Sequence, residues 1–596
     1  MKKTFLTSVS AAALLVAGPV FAQSNDSTVD QSGTGHNATV TQTGASNDST
    51  VNQSGNAGAT ATVTQSSDNN LSTIDQATDA TATVTQGGSQ TNPGPFAGRE
   101  NNVSDIDQTA NASGSNATVD QDGVLNKSTI TQDAEDSIAD VSQANIFNTS
   151  TIDQSGAGGA SAIVSQGGDY GDNVSNIVQT VAADATVTQT GQPSVGPNFT
   201  NDSDINQSGA NSVAMVSQNG SNNVSDLIQS GEGSDADVDQ DGSFLTSDIM
   251  QGPGADNEAD VIQTGSDNTS TIDQYGVGAF ASVNQSGSGQ ISTITQQDDA
   301  GSDATVVQSG ADNTSTVTQN SVSSVANVGQ SGESNTATLT QGRNAGTAFQ
   351  TNSQQANIDQ SGDGNKITAT QSGSSGDLNA DQSGDRNIAT VTQSGFDNSA
   401  GDNIGLVGLS QSGDDNTATV TQSGQLSDVF IDQIGDFNTA TVDQSVGNAP
   451  NPAGGPDPRV ADASVTQEGN GNTATISQFG GSNTVSARLM EASIDQEGDG
   501  NSSTINQTNS LVNGSSSQNS ASSRQDGDDN SSEIDQNGFN NDATLFQSGS
   551  FNTSDIIQNG SNNTATVNQY SDSNVSSVTQ NGVGHTATVN QGSPSS

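Results

Sequence analysis

The chain contains no cysteine and no tryptophan, and it has 10 lysines and arginines against 66 aspartates and glutamates in 596 residues. Without cysteine there are no disulfides and no thiol chemistry. The formal net charge of −56 argues against nucleic acid as a partner, because phosphate must be neutralised by basic side chains. Anionic membrane surfaces are disfavoured for the same reason. Hydrophobic residues make up 28% and aromatics 3%, too little for a conventional apolar core, and such a composition by itself reads as disorder. Past the N-terminus no apolar run approaches the ~20 residues a spanning helix needs. The two histidines, His36 and His585, are too far apart in sequence to suggest a metal site or a general base. Nor does a G-x-S-x-G elbow appear in a strand-to-helix context. No enzyme and no cofactor are expected.

What is present is a repeat. Gln411-Ser-Gly413-Asp-Asp-Asn416-Thr-Ala418-Thr-Val420-Thr-Gln422 reads Q-x-G-x-x-N-x-A-x-V-x-Q, and the closing glutamine opens the next phrase. Gln558, Gly560, Asn563, Ala565 and Gln569 repeat it. A fixed period signals a solenoid or array, which outweighs the disorder reading. The residue four before each closing glutamine alternates between serine and alanine from Ser27, Ala38 and Ser49 to Ser315 and Ala326. It blurs mid-chain and returns from Ser532 to Ala587. The structural unit is therefore about 22 residues with two non-equivalent halves.

Each half reads as a strand and a turn. Asn416, Ala418, Val420 and Gln422 share one parity and the threonines between them the other, so one set faces inward. Threonine, valine and isoleucine suit a pleated strand, and Gly413 with the following Asp-Asp supplies turn chemistry. An inward set of small and amide side chains fits a thin core in which identical residues stack. Stacked Gln and Asn can then satisfy one another as amide ladders. The fold predicted is all-β: a long two-sheet β-solenoid of about two dozen 22-residue strand-turn-strand rungs with cross-β stacking.

Residues 1–22 read as a secretory signal. Lys2 and Lys3 precede an apolar stretch from Ala11, and Val20-Phe-Ala22 places cleavage after Ala22. Residues 23–596 form the repeat array. Proline-rich insertions fall between strands near 91–102, 191–202 and 445–462, as the exclusion of proline from paired strands requires. The motif decays near 508–524. Outward aspartates such as Asp30, Asp75, Asp107, Asp153 and Asp273 form a solvated acidic face. Stacked at rung spacing they repel by about 1 kcal/mol per pair even in water, so salt, divalent cations or acid are expected to favour association. Asp237, Asp239, Asp241 and Asp248 mimic a calcium loop, but the repeat itself generates that spacing.

The phrase resembles the curlin repeat, Ser-x5-Gln-x-Gly-x2-Asn-x-Ala-x3-Gln. Gln411, Gly413, Asn416, Ala418 and Gln422 match its second half, as do Gln558, Gly560, Asn563, Ala565 and Gln569. The resemblance implies a secreted subunit that polymerises with copies of itself into cross-β, curli-like amyloid fibres for biofilm matrix and surface adhesion. It also implies an outer-membrane secretion channel and a nucleator subunit as partners. Curli subunits are typically much shorter and carry a targeting segment after the signal, whereas here the repeat starts at Asn25. Two other readings compete. Outward Thr39-Val-Thr41, Thr62-Val-Thr64, Thr83-Val-Thr85 and Thr419-Val-Thr421 are reminiscent of ice-binding solenoids, and a long array could serve as an adhesin stalk.

Overall fold

When every phrase is a strand and its apolar and amide residues all point one way, the chain must coil so that like phrases lie on like. The computed structural model describes residues 24–88, 101–156, 158–168, 172–191, 200–297, 301–342, 354–373, 376–394, 406–423, 427–446, 461–480, 488–509 and 517–592. Among these the protein is all β, with 46 strands. The chain divides into two compact units, Met1–Gly289 and Gln290–Ser596. The first holds strands β1 (Asp26–Gly33) to β22 (Phe280–Ser288), the second β23 (Ile291–Gln296) to β46 (Thr586–Gln591). Within each unit a strand pairs in parallel with the next but one, so odd-numbered strands build one sheet and even-numbered strands the other. This is a two-sheet parallel β-solenoid of stacked rungs.

Register is set by the phrase and not by loop length. In β1 and β3 (Asp48–Gly55), Ser27 lies on Ser49, Val29 on Val51 and Gln31 on Gln53. β34 (Ser427–Ile434) and β36 (Ala461–Glu468) are separated by the insertion near 445–462, yet Gln433 still lies on Gln467. A one-residue slip would turn every inward residue outward.

The two sheets divide the core between them. In the odd sheet Ser225 and Leu227 of β17 (Val224–Gln229) lie beside Ser247 and Ile249 of β19 (Thr246–Gln251). In the even sheet Ala236 and Val238 of β18 (Asp235–Ser243) lie beside Ala259 and Val261 of β20 (Glu258–Ser266). All of these are buried. In these rungs serine goes with the larger Ile or Leu and alanine with Val; elsewhere Ser27 and Ser49 go with Val29 and Val51, and Ala474 with Ile476. Full burial of such an aliphatic contributes about 1.5–3 kcal/mol, repeated rung after rung. Where the alternation blurs, the columns exchange sizes together. β29 (Lys366–Gln371) places Ile367 before Ala369, and β30 (Asp377–Ser383) places Leu378 before Ala380; all four are buried.

The signal at 1–22, with Ala22, lies outside the described residues, as do residues 91–100, 192–199, 447–460 and 510–516 of the expected interruptions. The remainder of the 508–524 stretch belongs to β40 (Ser517–Asp526), which pairs with β38 (Arg488–Glu497) and β42 (Asp542–Ser548). It keeps Asn519, Ala521 and Gln525 in their columns and puts Ser523 in the apolar one. The Ser523 hydroxyl lies 2.8 Å from that of Ser532.

Candidate self-association surface

The inward amides form ladders. Gln411 closes the inward side of β32 (Leu406–Ser412). Its Nε2 donates to Gln433 Oε1 on the next even strand at 2.8 Å, and its own Oε1 accepts from Gln382 Nε2 at 2.7 Å. The other Nε2 hydrogen points across to the odd sheet, to Ile388 O at 3.3 Å. Gln422 of β33 (Thr417–Gln422) bonds Gln444 at 3.0 Å and Ser427 O at 2.9 Å. Gln558 of β43 (Thr553–Ser561) and Gln569 of β44 (Thr564–Gln569) repeat the scheme toward Gln580 and Gln591, at 2.9 and 2.8 Å. One amide hydrogen therefore holds the next rung and the other closes the edge between the sheets. Ala418, Val420 and Ala565 fill the space between.

Asparagine runs a second ladder of opposite polarity at the turns. Asn416 Oδ1 accepts the backbone N–H of Asn438 at 2.9 Å, while its Nδ2 donates to Gly435 O at 2.7 Å. Asn563 Oδ1 accepts from His585 N at 3.0 Å. Gly413 has φ +113° and Gly560 φ +124°, and a Cβ on either would overlap the carbonyl of the rung above, Gly435 and Gly582 respectively. Glycine is required here by both φ and close approach.

A third ladder went unread in the sequence. In unit 2 the residue after the turn glycine accepts a backbone N–H from the rung before it. Asp363 N donates to Asp385 Oδ1, Asp385 N to Asp414 Oδ1 and Asp414 N to Asp436 Oδ1, all at 2.9–3.0 Å. The signal was there as Gly-Asp-x-Asn at 362, 384, 413 and 435. Arg386 adds a bidentate contact to Asp415 at 2.8–2.9 Å on the exposed side of the same turns.

The two outermost described rungs differ from the rest in one respect. β44 and β46 both read Thr-Ala-Thr-Val-Asn-Gln. Ala565, Val567 and Gln569 are buried, whereas Ala587, Val589 and Gln591 are half-exposed. At the other end, inward Ala38, Val40 and Gln42 of β2 (Asn37–Gln42) are half-exposed, while their counterparts in β4 (Thr60–Gln65) are buried. Among the described residues β1 and β2 pair on one side only, as do β45 (Val575–Val583) and β46.

The curlin associated repeat matches residues 23–55, 209–242, 231–265, 254–287, 384–424, 461–487 and 538–570, falling in both units. The chain carries curlin repeats. Its repeats and its repetitive solenoid point to a structural, non-enzymatic role, and the family points to self-association outside the cell or at its surface. No curated protein matches the chain.

The outward faces of the array are mixed. Asp75 and Asp107 stack in β5 (Leu71–Gln76) and β7 (Asn102–Gln108). Partial burial first, and then Asp75, Asp105 and Asp133, raise the Asp107 carboxyl above its ordinary range. Asp30 instead faces Asn52, Asp153 lies between Thr131 and Val178, and Asp273 faces Met250. The longer acidic row is Asp204, Asp226 and Asp248, in β15 (Asp202–Gln207), β17 and β19. Burial, then Asp248 and Asp204, push Asp226 up. Asp237, Asp239 and Asp241 lie along β18 and its turn, with Asp248 in the other sheet, so they do not close a calcium loop. Among the described residues no group of three or more His, Asp or Glu could hold a metal ion, and no helix is long and apolar enough to cross a membrane. The threonine row Thr39, Thr62, Thr83 and Thr118 ends at Asp140 of β10 (Ile138–Ile146). Its neighbour Thr41, Thr64 and Thr85 ends at Asp120.

Proposed function

We propose that this chain is an exported structural subunit that adds end to end to copies of itself, forming curli-like cross-β fibres for biofilm matrix and adhesion. The observation that carries this reading is the pair of identical strand sequences, β44 buried and β46 half-exposed. An edge with inward apolar and amide groups half in water is a template for a further strand. The occupant that fits is another curlin rung, because it alone returns glutamine on glutamine and alanine on alanine. Export by the signal at 1–22, with cleavage after Ala22, belongs to the same reading. A secretion channel and a nucleator are its expected partners, and divalent cations on rows such as Asp204–Asp226–Asp248 are expected to speed growth by screening like charge.

The test is electron microscopy and fibre diffraction of the chain lacking residues 1–22, with and without calcium. Unbranched fibrils with the ~4.8 Å spacing of stacked strands are expected. Val589→Asp puts a charge on the end face, and should leave the monomer folded and stop elongation. Short particles that persist at high concentration would refute assembly. The ice-binding reading stays as the alternative: the threonine rows near the N-terminus are broken, but in unit 2 Thr293, Thr316, Thr338, Thr368, Thr390 and Thr419 stack beside Thr295, Thr318, Thr340, Thr370, Thr392 and Thr421 without interruption, and thermal hysteresis of the monomer tests it.

A further inference from the structure

One face of unit 2 carries no carboxylate. The odd strands β23, β25 (Thr314–Gln319), β27 (Thr336–Gln341), β29, β31 (Ile388–Gln393) and β33 stack in register. Each turns three side chains outward. Two of the three columns, from Thr293 to Thr419 and from Thr295 to Thr421, are threonine throughout. The third runs Ile291, Thr314, Thr336, Lys366, Ile388 and Thr417. All of these side chains are exposed or half-exposed. Elsewhere among the described residues, a run of strands with no outward carboxylate reaches at most the three rungs of β2, β4 and β6 (Thr81–Gly87). The opposite sheet of the same rungs in unit 2 carries Asp303, Asp359, Asp377 and Asp381.

In a chain of net charge −56, this face is where a like-charged copy meets no stacked aspartates. Facing carboxylates repel wherever two acidic faces approach, and here that barrier is absent. Threonine-rich segments of high β-propensity, low net charge and no proline are also those that pack sheet against sheet, with identical side chains interdigitating in a dry seam. Period selects the occupant. The face repeats every ~4.8 Å along the stack and every ~6.6 Å across it. A second copy of the same face has those spacings by construction, so a threonine seated between two others at one rung is followed by another at the next. Any other lattice matches them only by coincidence. Lys366 is the one charge on the face, and its aliphatic stem lets the ammonium reach the rim.

We infer that the outward face of β23, β25, β27, β29, β31 and β33 is a lateral seam, on which the same face of a second copy packs sheet against sheet and joins two fibres side by side. The seam goes beyond the end-to-end assembly proposed above and rests on it. The face measures about 29 Å along the stack and about 17 Å along the strands, or about 500 Å² per copy. A standard stable interface buries about 800 Å² per partner, so two monomers do not hold together through this face alone. In a fibre every subunit presents one such face, and the contacts add along its length. The turns at one edge carry Asp312, Glu333, Asp363, Asp385, Asp414 and Asp415, so the seam closes more readily in salt that screens them.

The experiment grows fibres of the chain lacking residues 1–22 in about 0.15 M salt and measures their mass per length by scanning transmission electron microscopy. Wild type is compared with two triple variants. Thr316→Asp/Thr338→Asp/Thr368→Asp charges the middle column of the face. Asn327→Asp/Asn357→Asp/Asn379→Asp puts the same added charge on the other sheet, in three consecutive rungs. The odd sheet already accommodates three stacked aspartates in the equivalent column, at Asp204, Asp226 and Asp248, so the threonine variant should fold, and circular dichroism checks it. Wild type and the asparagine variant should show about twice the mass per length of the threonine variant. Equal mass per length in wild type and the threonine variant overturns the seam and leaves end-to-end assembly standing. Single fibres from both variants trace the effect to charge alone and overturn it too. Thermal hysteresis that the wild-type monomer shows and the threonine variant loses, with fibres single in both, assigns the face to ice instead. Absence of fibres from wild type overturns the assembly reading, and the seam with it.

Discussion

Replacing Gln411 by leucine tests whether the amide ladder holds the rungs or merely accompanies the apolar core. The substitution keeps side-chain volume roughly constant and removes three hydrogen bonds: from Gln382 at 2.7 Å, to Gln433 at 2.8 Å and to Ile388 O at 3.3 Å. Gln382 Nε2 keeps one partner, Lys366 O at 3.3 Å, and loses the other. Gln433 Oε1 loses the amide that faced it. Both residues are buried, and an orphaned buried polar group costs about 1–3 kcal/mol. The gross loss is about 2–6 kcal/mol, offset by about 1.5 kcal/mol or more from the added apolar burial. A net destabilisation of about 1–4 kcal/mol follows.

In a stacked repeat this loss is felt mainly by nearest neighbours, so a single unfolding midpoint is the wrong readout. Native-state hydrogen exchange resolves it. Amides in β30, β32 and β34 should exchange between about ten and a thousand times faster, while those in β26 (Val325–Glu333) stay unchanged. Thr419→Ala, on the outward face of β33, should shift exchange by no more than about 0.5 kcal/mol. Unchanged protection in β30 and β34 of Gln411→Leu would refute the ladder as a source of cohesion. An equal loss in β26 would refute nearest-neighbour coupling.

Gly560→Ala forces a Cβ into the Gly582 carbonyl at φ +124°; local exchange in β43 and β45 should rise by the equivalent of more than about 3 kcal/mol, and wild-type protection would sink the close-approach argument. Asp107, Asp226 and Asp237 all have carboxyls raised chiefly by burial, then by neighbouring aspartates. A carboxyl raised on folding binds protons more readily in the native state, so stability should increase as pH falls from 7 into the carboxylate range near 5, and a thermal midpoint that drops steadily over that window contradicts it. Ser203, Ser225 and Ser247 have buried hydroxyls with no hydrogen-bond partner among the described residues, so Ser225→Ala should be neutral or should stabilise by up to about 3 kcal/mol. Ser554→Ala breaks a 2.8 Å bond to Ser576 and should destabilise; an order in urea denaturation the reverse of this would refute the distinction between bonded and unbonded serine hydroxyls.

Period and parity made much of this legible. Gln411, Gly413, Asn416, Ala418, Val420 and Gln422 have the positions their spacing implied, because a strand has only two faces and the turn glycine has one conformation. The serine–alanine alternation also read correctly as two unlike sheets. The exchange of sizes at Ile367–Ala369 and Leu378–Ala380 was equally present in the letters, but it is a volume relation and appears only when two positions are considered together. The Asp385–Asp414–Asp436 ladder was missed because acidic residues in turns ordinarily mean solvent exposure. Nothing in one rung says that its carboxylate reaches the backbone of another. Asp30, Asp153 and Asp273 looked like members of one acidic row and are not, since outward neighbours depend on the sequence 22 or more residues away.

The three ladders also explain why insertions are tolerated and slips are not. Gln86 reaches Gln121 across 35 residues and Gln433 reaches Gln467 across 34, at 2.9 and 2.8 Å, as well as Gln411 reaches Gln433 across 22. Chain length between rungs enters only as loop entropy, about 0.6 kcal/mol per doubling. Register enters as every amide, every glycine and every apolar residue of the rung at once. What a rung recognises is therefore the face of the next rung, whichever stretch of chain supplies it. The same indifference that lets Gln433 and Gln467 stand 34 positions apart in sequence lets the next rung come from a different molecule, provided its glutamines, glycines and alanines arrive in phase.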